Sequence, residues 1–128
     1  MTARNPIGHI DLRVRDAAEA LEFFGALLPE LGYTETYHGE WKVFATKGEL
    51  PAAAYFALVE SADHAPNENR IAFWAADRAE VDRLADVALR AGARDVSGPK
   101  EMPYGPDYYA VYFADPSGNR FEIYYRWA

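Results

Sequence analysis

Two stretches decide how this chain folds: His9–Tyr33, "HIDLRVRDAAEALEFFGALLPELGY", and Arg70–Arg94, "RIAFWAADRAEVDRLADVALRAGAR". Laid one over the other at a constant offset, Ile10 meets Ile71, Leu12 meets Phe73 and Val14 meets Ala75. Asp16 then meets Asp77, and Glu19 meets Glu80. D-A-A-E and D-R-A-E are both capping-box patterns. The Asp carboxylate accepts an orphan amide of the first helical turn, and the Glu three residues on reaches back. Each pattern therefore marks a helix start directly after an alternating strand. Each helix is expected to stop near a glycine, Gly32 or Gly92. An internal repeat of this kind organises the whole chain.

After each helix the pattern returns to strands. "YTETYH", "WKVFAT" and "AAAYFALVE" follow the first, and "ARDVSG", "YYAVYFA" and "RFEIYYRW" follow the second. The "DPSGN" between the last two reads as a hairpin turn. "GPKEMPYGPDYYAVYF" (98–113) reads as a Pro- and Gly-rich loop leading into a strand. Each half is thus strand–helix–strand–strand–strand, an α+β pattern. The 128 residues divide into a module over 7–60, a polar linker over 61–69 and a module over 70–127. Two βαβββ modules of this size are each too small to bury much surface alone, so one domain with a shared cleft is expected.

Composition narrows the function. Net charge is −7 and no run of Lys or Arg exceeds two residues, which argues against a nucleic-acid partner. There is no cysteine, which excludes disulfides, thiolate metal sites and cysteine nucleophiles. No apolar run approaches the roughly 20 residues that span a bilayer, and the N-terminus lacks a signal-peptide pattern, so a soluble cytoplasmic protein without membrane association is expected. Neither a P-loop nor a nucleophile elbow is present.

Alternation assigns the faces. Ile10, Leu12 and Val14 pack under the first helix, leaving His9, Asp11 and Arg13 opposite. Ile71, Phe73 and Ala75 pack under the second, leaving Arg70, Ala72 and Trp74 opposite. Phe121 and Ile123 as core residues put Glu122, Tyr124 and Arg126 on that same open face. For "YYAVYFA" the choice between Tyr108, Ala110 and Tyr112 and the alternate set stays open. His9, Arg70 and Glu122 then lie near corresponding strand ends. On pattern alone they are either an Arg70–Glu122 ion pair with His9 as neighbour or a functional site. Trp41 is either a cleft residue or core, and His38 reads as a solvated turn residue.

With its two modules, its opening "GHIDLRVRDAAEALEFF" and its closing "DPSGNRFEIYYR", the chain resembles the vicinal-oxygen-chelate superfamily of glyoxalases, extradiol dioxygenases, fosfomycin-resistance enzymes and bleomycin-resistance proteins. The resemblance implies a glyoxalase-like, eight-stranded half-open barrel, and a homodimer. In metal-using members the ligands are His, His and Glu, from the first strand of each module and the closing strand of the second. Carried over, His9 and Glu122 match two of these positions. Arg70 stands at the third, and a guanidinium has no lone pair to give a metal. The fourth glyoxalase position falls at Tyr55 or Ala57, neither a good ligand. His64 is the one candidate for a compensating ligand.

Two functions follow from the resemblance. One is a lyase- or dioxygenase-like enzyme using Ni, Zn, Mn or Fe at His9 and Glu122, with Glu122 as ligand or base. The other is a metal-free protein that sequesters a small aromatic or anionic molecule, Arg70 having displaced the metal ligand. In either case Arg70, Trp74, Tyr104, Tyr108 and Tyr124 are the expected substrate-binding residues, with Lys100 as a further contact from the 98–113 segment.

Overall fold

A computed structural model describes residues 4–127, and they fall into two compact units that divide after His64, inside the expected linker. The first unit runs β1 (His9–Val14), α1 (Ala17–Leu27), a short 3-10 helix (Leu28–Leu31), β2 (Glu35–His38), β3 (Lys42–Ala45) and β4 (Tyr55–Glu60). The second runs β5 (Arg70–Trp74), α2 (Arg78–Ala91), β6 (Arg94–Met102), β7 (Tyr108–Ala114) and β8 (Arg120–Tyr125). Among the described residues the strands form two separate four-stranded sheets, ordered β1-β4-β3-β2 and β5-β8-β7-β6, and no ladder closes them into one barrel. In each sheet the strand before the helix pairs in parallel with the last strand of its unit, and the other pairings are antiparallel. The two-module α+β organisation expected from the repeat is the one that forms.

Both helix starts form as the capping patterns require. Asp16 accepts from the Glu19 amide at 3.1 Å, and Asp77 accepts from the Glu80 amide at 2.8 Å. The returning half of the box differs. Glu19 pairs with Arg15 at 3.3 Å, while Glu80 accepts from the Ala76 amide, one residue ahead of the cap. The ends differ as well. α2 runs to Gly92, which takes a left-handed φ of 114°. α1 stops at Leu27, ahead of Pro29, whose ring and missing N–H oppose a further α turn. The 3-10 turn carries the chain on to Gly32.

Each helix buries its apolar stripe on one face of its own sheet. Val14, Phe23, Phe24, Leu27 and Phe56 are the buried centre of the first unit, and Val81, Leu84, Val111, Phe121 and Ile123 that of the second. Phe121 lies between two rings, 6.0 Å from Phe73 and 5.8 Å from Phe113 by centroid. Each such side chain contributes about 1.5–3 kcal/mol by leaving water. With one face of each sheet committed to its helix, period-2 alternation fixes which side chains stand on the other.

One expectation is corrected here. The residues from Gly98 to Met102, read as loop, are strand, and β6 extends through them. Two register shifts against β7 accommodate the irregular sequence. Pro99 is tolerated because β6 is an edge strand. Gly98 has a φ of +98°, and a Cβ there would stand 2.7 Å from the Ala110 carbonyl oxygen, so only glycine fits the kink.

Candidate functional site

The open face of the second sheet can be laid out row by row from its register. Arg70 stands opposite Arg120, Ala72 opposite Glu122, and Trp74 opposite Tyr124. Across the next ladder Arg120 meets Ala114, Glu122 meets Tyr112, and Tyr124 meets Ala110. On the edge strand Ser97, Lys100 and Met102 meet Tyr112, Ala110 and Tyr108. This decides the question left open for β7: Tyr108, Ala110 and Tyr112 share the face of Glu122.

Glu122 is the buried acid of this face, only 7% exposed. A buried carboxylate needs a donor, and the Tyr108 hydroxyl supplies it by donating to Glu122 Oε2. Burial, followed by this hydrogen bond and the Glu122 charge, holds the Tyr108 phenol well above the ordinary range. Burial and the Glu122 charge likewise push Tyr112 up to about 12, against the opposing effect of Arg70. Both phenols therefore stay protonated at neutral pH.

The Arg70–Glu122 ion pair allowed by the sequence pattern does not form. The guanidinium lies 5.0 Å above the Tyr112 ring instead. The register explains this, since Arg70 occupies the row of Arg120 and Ala114 while Glu122 lies one row along, already engaged by Tyr108.

The next rows form an aromatic shelf. Trp74 stacks on Tyr124 at 4.8 Å, and Tyr124 on Tyr108 at 5.2 Å. Ala110, opposite Tyr124, leaves the room that lets Tyr108 lean across. Tyr104 meets Tyr108 edge-on at 5.5 Å, and Arg126 lies over the Tyr108 ring at 5.8 Å. Trp74 and Tyr104 remain 66% and 61% exposed, which leaves ring faces available to a ligand. Beside the shelf is a cavity of about 720 Å³ whose lining includes Arg70, Lys100, Tyr104, Tyr112 and Arg120.

Of the residues expected from sequence, Arg70, Trp74, Tyr108, Glu122 and Tyr124 belong to this one sheet, and Tyr104 lies in the connection between β6 and β7. Tyr112 and Arg120 were missed. The alternation Arg120–Glu122–Tyr124 carries the signal for Arg120, whereas Tyr112 needed the face of β7 to be known.

His9 belongs to the first unit. Its ring stacks on Tyr55, its partner on β4, at 4.5 Å, and its Nε2 is 3.8 Å from an Asp11 oxygen. Both residues line a mostly apolar cavity of about 620 Å³ that also includes Trp41 and Leu50, so Trp41 is a cavity residue and not core. His38 is exposed, at the end of β2.

The donor chemistry of the second unit does not suit a divalent metal. Arg70 has no lone pair to offer, and Glu122 is engaged at Oε2 by the Tyr108 phenol. Among the described residues no group of three or more His, Asp or Glu is placed to hold a metal ion, and no helix is long and apolar enough to cross a membrane.

A family model described as the Glyoxalase/Bleomycin resistance protein/Dioxygenase superfamily matches residues 6–123. Among solved structures, a glyoxalase candidate from Bacillus halodurans is 27% identical, with a TM-score of 0.74 over 95% of this chain and 96% of that one. A glyoxalase/bleomycin resistance protein from Albidiferax ferrireducens is 20% identical, with a TM-score of 0.70 over 95% and 99%. A mutant of the fosfomycin resistance protein FosX from Listeria monocytogenes, in complex with Mn(II) and a dihydroxypropylphosphonic acid, is 21% identical, with a TM-score of 0.67 over 94% and 90%. No match was found among curated proteins.

Proposed function

Since the chain belongs to the glyoxalase/bleomycin resistance protein/dioxygenase superfamily, we propose that it is a small-molecule-binding protein that holds its ligand on the open face of the second sheet without a metal. The observation that carries this reading is the state of Glu122. At the position where metal-using relatives place a ligand, this carboxylate is buried and bound by Tyr108, while Arg70 occupies a histidine position and rests on Tyr112. A fixed cation, a protonated phenol row and an exposed aromatic shelf are a recognition surface: a few placed polar groups beside apolar rings.

The test is metal content of the purified protein by plasma mass spectrometry, as isolated and after incubation with Ni, Zn, Mn and Fe(II). Metal well short of stoichiometric is expected in every case. Near-stoichiometric metal that His9→Ala and Glu122→Ala both abolish would overturn the metal-free reading. That result would favour the second reading, a metal-dependent lyase or dioxygenase. Its support is the place of Glu122 on the closing strand, together with the Mn(II) held by the FosX relative.

A further inference from the structure

The first sheet has an open face of its own, and its register lays out the 620 Å³ cavity. One row runs Tyr37–Val43–Ala57–Asp11, and the next Glu35–Ala45–Tyr55–His9. Val43, Ala45 and Ala57 are small, so the middle of both rows is a low floor, with the Tyr37, Trp41 and Tyr55 rings among the taller lining residues. Tyr37 and Trp41 are exposed, and among the described residues neither ring meets another ring or a cation. Asp11 is the one acid of the lining, and no lysine or arginine belongs to it. The other charged residues that the register puts on this face are Glu35 and Arg13, the latter one row beyond Asp11. With His9 counted neutral, two acids against one arginine leave the face negative.

We propose that this cavity binds a small organic cation, a methylated ammonium group held against the Tyr37, Trp41 and Tyr55 rings with Asp11 as its counter-charge. Aromatic faces carry a negative quadrupole that attracts a cation, most strongly at tryptophan. A methylated ammonium spreads its charge over an apolar surface and carries no N–H, so rings and an alanine–valine floor serve it without further acceptors. A bare ammonium would need acceptors beyond Asp11 to replace its water. A metal ion would need more ligands than Asp11 and His9 supply, and an anion would find no cation in the lining. The site draws on the first unit alone, so it is independent of the reading of the second sheet.

Calorimetric titration of the full chain with choline tests it. The parallel probes are 3,3-dimethylbutan-1-ol, which has the same shape without the charge, and ethanolamine, which has the charge without the methyl groups. Saturable binding of choline is expected, tighter than that of either probe. Trp41→Leu keeps an apolar side chain and removes the ring, and should weaken choline by about threefold to tenfold. Asp11→Asn keeps the shape and removes the charge, and should weaken it by about twofold to fivefold, with less loss on adding salt than the parent shows. Both residues are exposed, so the variants keep the fold, which circular dichroism checks. Dimethylbutanol binding as tightly as choline overturns the cation in favour of a neutral apolar ligand. Ethanolamine binding as tightly overturns the methylated head in favour of a simple ion pair with Asp11. Absent choline binding, or binding that Trp41→Leu leaves unchanged, overturns the site itself, and the reading of the second sheet still stands on its own metal-content test.

Discussion

Tyr108 is the residue on which the second unit's open face turns. Its hydroxyl is the donor that lets Glu122 remain buried, and its ring is the end of the aromatic shelf. Tyr108→Phe keeps the ring and removes the donor, leaving a buried carboxylate short of a partner. The expected result is a loss of about 1–3 kcal/mol in urea unfolding. Glu122→Gln, which keeps an acceptor oxygen without the charge, should cost less than Tyr108→Phe. Trp74 has the opposite character, exposed and stacked on one side only. Trp74→Ala should leave stability within about 0.5 kcal/mol. It should weaken binding of a planar ligand by about 0.5–1.5 kcal/mol in calorimetric titration.

At the scale of elements, α2 and the strands it covers form the rigid support. Asp77→Ala removes the α2 cap and is expected to cost about 1 kcal/mol, and Leu84→Ala, at the buried centre of the helix face, about 2–5 kcal/mol, both measured by denaturant unfolding. The first turn of α2 also clasps the segment between β6 and β7. Arg78 pairs with Glu101 and with Asp107, and its guanidinium lies 4.8 Å above the Tyr109 ring. Tyr109 in turn donates to Asp82 at 2.7 Å. Tyr104, a wall of the cavity, sits inside the clasped segment, between Glu101 and Asp107. Arg78→Ala is expected to speed amide hydrogen exchange and proteolysis over 103–107 while α2 itself stays protected. Unchanged exchange in that segment would show that the clasp does not order it.

For the molecule as a whole, the tyrosines set the alkaline limit. Tyr112 is raised to about 12 and Tyr108 is raised above the usual phenol range, so in the folded state both keep their protons longer than in the unfolded chain. Their contribution is fully present below the unfolded phenol value of about 10 and is lost as pH rises through the folded values. Stability should therefore fall from pH ~10 upward, with phenolate absorbance appearing as the chain unfolds, and Tyr112→Phe should flatten that fall. The sequence by itself determined the two βαβββ modules, both helix starts and the sides of the alternating strands β1, β5 and β8. These are local matters: a cap needs only residues within one turn, and period 2 needs only a helix on one face. It also placed Arg70, Trp74, Tyr124 and Glu122 on one side of their sheet. The tertiary structure alone decided which face of β7 joins them, that Tyr108 rather than Arg70 is bound to Glu122, and that Arg70 lies beside Arg120. Those facts depend on register between strands distant in sequence. A shift of one residue turns every side chain to the other face, and no local pattern fixes that pairing.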